Sequence, residues 1–175
     1  GSGVVAPELA RGLATKGHNV HVLSYDQPAR LDTLMSNIFY HEVNINTYPL
    51  FQYPPYALAL ANQLVDLIKF QKLDVIHVHY AIPHATSAWF AKQILAVEAA
   101  HVPIITTLHG TDITIVGKDA SYKNVVEFSI NNSDGVTAVS NYLKEETERV
   151  FDIKTDIEVI YNFIDLDRFK KSDKN

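Results

Sequence analysis

The sequence predicts an α/β fold: a Rossmann-like parallel sheet with helices on both faces. Two observations predict it. Short apolar or β-branched runs alternate with stretches of helical periodicity from one end of the chain to the other. Polar residues then collect just after these runs, as they do along the ligand-binding edge of an open parallel sheet. Alternation of this kind implies right-handed crossovers and a sheet covered on both faces.

Residues 4–16 carry Val5, Leu9 and Leu13 at helical spacing, and Gly17 is a suitable stop. Residues 19–24 and 39–45 read as strands. Residues 48–56 hold Tyr48, Phe51, Tyr53 and Tyr56 among prolines and read as a loop. Residues 57–71 repeat Leu58, Ala61, Leu64, Val65 and Ile68, an amphipathic helix. Strands follow at 74–80, 104–108, 135–139 and 157–161, separated by helices at 85–99, 121–132 and 141–151. From Phe163 the pattern dissolves into Asp, Lys and Ser. The expected organisation is one domain over 1–162 and the start of an interdomain linker over 163–175. A sheet of this type normally opens with a strand leading into a glycine-rich turn. Here the turn Gly1-Ser2-Gly3 stands at residue 1, so that usually central strand is expected to lie outside the chain, which then reads as a fragment of a longer protein.

At 175 residues the chain can bury a sizeable core. It is 47% hydrophobic and 20% charged, with a formal net charge of -5. Its 15 Lys and Arg are scattered, so no nucleic-acid footprint is expected. Cysteine is absent, which rules out a disulfide framework, a thiol nucleophile and a thiolate zinc site within the chain. No apolar run approaches the ~20 residues needed to span a bilayer. No membrane partner is expected, and the cytoplasm is the expected compartment.

The chemistry converges on the predicted strand ends. Gly1-Ser2-Gly3 opens a helix, where free N–H groups and the helix dipole suit an anion. Tyr80 and then Pro83-His84 follow one strand, and His109-Gly110-Thr111-Asp112 follows the next. Ser140-Asn141 and Asn162 follow the last two. His109 at a strand end before a glycine is the strongest functional candidate. Asp112 either orients it or caps the next segment. Ser140 and Asn141 also suit simple helix capping. His77 and His79 share one strand face, so they read either as a metal pair, with His84, His109 and Asp112 in reserve, or as packed histidines. The packed reading carries more weight, and no metal is expected. Gly1-Ser2-Gly3-Val4-Val5-Ala6 also matches G-x-G-x-x-A, with Asp26 where a ribose-binding acid belongs. A nicotinamide-dependent oxidoreductase is therefore the competing class, although it leaves His109-Gly110-Thr111-Asp112 unexplained.

The opening Gly1-Ser2-Gly3-Val4-Val5, followed by Lys16-Gly17-His18-Asn19-Val20-His21, resembles the start of family-four GT-B glycosyltransferases. Four further blocks narrow the resemblance: 48–56, 77–85, 106–114 and 159–165. They are similar to members that join N-acetylglucosamine to L-malate in the first step of bacillithiol synthesis. The resemblance covers essentially the whole chain. It implies the N-terminal, acceptor-side half of a GT-B fold and retaining transfer from UDP-N-acetylglucosamine to L-malate, by front-face displacement without a cofactor. It places His109 at the reaction centre, Ser2 and Gly3 near the donor diphosphate and the acceptor, and Tyr80 and Thr107 against the malate. Gly110, Thr111, Asp112, Asn141 and Asn162 complete the expected donor and acceptor contacts. Another acceptor within the same family is the nearest alternative. The C-terminal donor-binding domain is an expected partner, a homo-oligomer is compatible, and the fragment alone is expected to be inactive. Cations near the rim are few, with Arg30 and Lys118 as candidates.

Overall fold

A computed structural model describes residues 2–46, 49–96 and 101–166, and the side chain of Ser2 is outside that description. Gly1, Tyr48, the end of the helix expected at 85–99 and most of the expected linker also lie outside the described residues.

Helix α1 (Ser2–Thr15) leads to strand β1 (Val20–Ser24), then β2 (Ile38–Glu42), α2 (Tyr56–Gln71) and β3 (Ile76–His79). A wide helical turn, Ala81–Ala85, runs into α3 (Thr86–Ala96). After β4 (Ile104–Leu108) come the short α4 (Thr111–Thr114) and a tight turn, Val116–Lys118. The remaining elements are α5 (Lys123–Asn131), β5 (Gly135–Ala138), α6 (Asn141–Val150) and β6 (Ile157–Val159). The turn at 81–85 and α4 were not expected. Both are too short to show periodicity.

All strand pairs are parallel, as the alternation predicts, but hydrogen bonds group them in two sheets: β1-β2, and β3-β4-β5-β6. In the larger sheet His79 faces Thr107, and Thr107 faces Thr137. Neither sheet holds a described strand ahead of α1.

Three apolar clusters hold the layers. Ala10 and Ala14 of α1 pack over Leu31 and Ile38. Leu60, Leu64 and Ile68 of α2 and Ala88, Ala91 and Leu95 of α3 cover Ile76, Val78 and Ile104, and Leu23 of β1 joins that core. Val126 and Ile130 of α5 and Leu143 of α6 cover Leu108, Val136, Ala138 and Ile157. The small residues on α3 allow close approach to α2 and the sheet. Ala88 is fully buried, so Ala88→Leu should cost about 1–3 kcal/mol by overpacking, read as a lower denaturation midpoint at unchanged m-value.

Residues 163–166 have no regular structure, and Asp165 there forms an ion pair with Arg11 of α1 at 2.8 Å. Among the described residues no helix is long and apolar enough to cross a membrane.

Candidate active site at the strand ends

The site is built from two adjacent strand ends. The register that sets His79 beside Thr107 also brings the residues after each strand together. His79 Nδ1 lies 2.7 Å from His109 Nε2, so one proton is shared between the rings. The His77 and His79 rings stack with centroids 4.7 Å apart. The Tyr80 ring lies 5.2 Å from that of His109 and 6.1 Å from that of His84. His84 Nδ1 donates to the His79 carbonyl, which can only accept, so His84 carries its proton on Nδ1.

Thr107 sits one step below this rim. Its hydroxyl is 2.7 Å from His77 Nε2 and 2.8 Å from the Thr137 hydroxyl. Thr137 was not anticipated, because only the strand order reveals it as a neighbour. His77 is thus hydrogen-bonded and stacked but exposed, while half-buried His79 packs between the His77 and His109 rings. Among the described residues no group of three or more His, Asp or Glu is placed to hold a metal ion.

Burial dominates the electrostatics. It pushes His79 down to about 3, with His77 and His109 adding to the effect. It pushes His109 down to about 4, with His77 contributing. Burial also lowers His84, and partial desolvation lowers His77 although that residue remains exposed. The cluster is therefore uncharged near neutral pH and offers hydrogen bonds rather than positive charge.

Below the ordinary value of 6.5 the unfolded chain binds protons that folded His79 and His109 refuse. The unfolded state thus holds more protons between pH 6.5 and about 3–4, and stability falls on acidification through that window. The slope approaches ~1.4 kcal/mol per pH unit for each group. Denaturant unfolding between pH 7 and pH 5 should show this loss, with a shallower slope in His79→Gln. Equal slopes in the two proteins would mean that His79 titrates normally.

The other predicted residues are spread along the same edge. Gly110 has φ 115, a conformation that favours glycine, and a Cβ there would meet nothing within 4 Å. Thr111 is exposed at the start of α4, while Asp112 is only 3% exposed. Both Asp112 oxygens accept backbone N–H groups: Oδ1 from Gly110 at 3.0 Å and His109 at 3.4 Å, Oδ2 from Ala81 at 3.0 Å. The structure thus places Asp112 behind the rim. Ser140 caps α6, accepting from the Leu143 N–H at 3.2 Å. Asn141 Nδ2 donates to the Tyr161 hydroxyl at 3.0 Å, and Asn162 is exposed beside it. Gly3 is exposed, with open space where a Cβ would stand.

Lys118 does not serve the rim as a free cation. Its Nζ pairs with Glu146 Oε1 of α6 at 2.8 Å. Arg149 forks onto the same carboxylate at 2.9 and 2.7 Å, and together the two cations draw Glu146 down to about 2. Arg30 is exposed in a turn. In the aromatic loop Phe51 and Tyr53 are exposed, while Tyr56 packs edge-on against Tyr25 and His84. Asp26 is exposed past β1.

The sequence model for Glycosyltransferase Family 4 matches residues 1–168. The chain is 48% identical over 165 residues to N-acetyl-alpha-D-glucosaminyl L-malate synthase of Bacillus anthracis, covering 94% of this chain and 42% of that protein. It is 28% identical over 142 residues to the uncharacterized glycosyltransferase MJ1178 of Methanocaldococcus jannaschii, covering 81% and 37%. The crystal structure of a glycosyltransferase from Rickettsia africae superposes with a TM-score of 0.64 at 24% identity, over 93% of this chain and 40% of that one. That likeness speaks to fold. The chain spans less than half the length of each of these relatives.

Proposed function

Because the chain belongs to glycosyltransferase family 4, we propose that it forms the acceptor-side half of a retaining transferase that moves N-acetylglucosamine from UDP-N-acetylglucosamine to L-malate. The malate hydroxyl attacks the anomeric carbon, the bond to the diphosphate breaks on the same face, and the hydroxyl proton passes to the leaving phosphate. The chemistry then rests on positioning and on stabilising the leaving diphosphate. The observation that carries this reading is the neutral His79–His109 pair beside Tyr80, at the carboxyl edge of the sheet.

In this reading His109 stands at the reaction centre. His79 fixes which ring nitrogen of His109 carries hydrogen, and the low proton affinity of both rings keeps them uncharged. Tyr80 and Thr107 hold the acceptor. Ser2 and Gly3 offer hydrogen bonds to the diphosphate at the start of α1. Gly110, Thr111, Asn141 and Asn162 line the remaining edge. A dianionic acceptor beside a diphosphate needs cations. With Lys118 committed to Glu146, we assign most of that charge to a second, donor-binding domain. The reaction needs no cofactor beyond the sugar nucleotide, and the cytoplasm, where such donors are made, is its place.

The test is UDP release by the full-length protein from UDP-N-acetylglucosamine, with and without L-malate. Malate-dependent release is expected. Release only with a different acceptor would keep the transferase and discard malate. Tight NAD binding without any UDP release would overturn the reading in favour of the Asp26 alternative.

A further inference from the structure

We propose that Asp112 is the positioning residue that sets His109 against Tyr80, acting through backbone N–H groups and not by touching substrate. The role rests on the transferase reading above and gives that site its rigidity.

Two strand ends leave the sheet side by side, and both leave it in unusual backbone conformations. Tyr80 has φ 83 and Gly110 has φ 115. Glycine adopts such an angle freely, but a bulky residue does so only where its surroundings over-determine it. The peptide groups on both sides of Tyr80 are held. Its own N–H donates to the Thr107 carbonyl at 2.9 Å, and the next N–H, at Ala81, donates to Asp112 Oδ2 at 3.0 Å. The other Asp112 oxygen accepts from Gly110 at 3.0 Å and, at 3.4 Å, from His109. One buried carboxylate thus ties the residue after Tyr80 to His109 and Gly110, and the two rings stand 5.2 Å apart.

A carboxylate suits this place because every backbone group facing it is a donor. Burial raises the Asp112 carboxyl above its ordinary range, while the bonds from Ala81, Gly110 and His109 oppose that rise. An amide would turn its NH₂ toward one of those donors and lose the bond. Gly117 closes the floor, since a Cβ there would lie 2.4 Å from the Asp112 carbonyl oxygen.

The experiment is Asp112→Asn in the full-length protein, with three readouts. These are the histidine ring resonances without ligand, the thermal midpoint, and kcat and KM for both substrates. We expect shifted His79 and His109 resonances and a kcat reduced roughly ten- to a hundred-fold, with donor KM nearly unchanged. Parent-like ring resonances, with kcat falling only as the folded fraction falls, would overturn the proposal. If the variant does not fold, amide exchange in the parent decides. Ala81 and Gly110 N–H groups as protected as the core amide of Leu108 support the clamp, and loop-like exchange rejects it. A parent that transfers from no UDP-sugar would sink the transferase reading, while the ring resonances still judge Asp112.

Discussion

His109→Ala should lower glycosyl transfer by about 10²–10³-fold, the scale seen when a positioned polar group at a reaction centre is lost. The side chain ends β4 beside Tyr80, and its ring is oriented by a 2.7 Å bond to His79. Alanine removes that polar group. It also strands the His79 ring, whose lost partner should cost about 1–3 kcal/mol of stability. The kinetic loss should therefore appear in samples shown by circular dichroism to be folded. Because His109 is held at about 4, protonation of its ring should not shape the parent's rate between pH 6 and pH 8. The measurement is kcat for malate-dependent UDP release across that range. A folded variant that transfers at the parent rate would remove His109 from the reaction centre.

Gly117→Ala should be the most damaging single-methyl change among the described glycines whose φ is not positive. The new Cβ would lie 2.4 Å from the Asp112 carbonyl oxygen and 2.8 Å from Phe151 Cζ. Phe151 is buried in the core between α6 and the sheet, and the Asp112 carbonyl belongs to rigid backbone. Neither can move without disturbing the segment that carries the carboxylate clamp. The expected cost is about 3 kcal/mol, with activity falling alongside it. Gly12→Ala is the control. It sits in α1 with no atom within 4 Å of the added Cβ, so it should stabilise the protein by about 0.5–1 kcal/mol. Chemical denaturation of both variants checks the pair. Equal midpoints for Gly117→Ala and the parent would show that the 111–118 segment adapts freely.

The order of strands and helices was legible because each apolar run is local and its period survives in the chain. The amphipathic stretch around Leu64 and Ile68 became α2, and the runs at 104–108 and 135–139 became β4 and β5. The carboxyl-edge residues were equally legible, since parallel alternation puts every strand end on one edge. His109, Gly110 and Asp112 could be singled out together because they are consecutive or nearly so.

Their roles could not be separated that way. Asp112 lies three residues from His109, yet one of its bonds runs 31 positions back, to Ala81. His79 meets His109 across 30 positions, and Thr107 meets Thr137 across another 30. Lys118 reads as a cation free for a ligand until α6 brings Glu146 to it. Local periodicity decides where strands and helices begin and which face each one buries, because those choices depend on residues within a turn or two. Register between strands decides which polar groups share a proton, clamp a turn or neutralise a charge. Such pairings join residues separated by long crossovers, so they take shape only when the core closes.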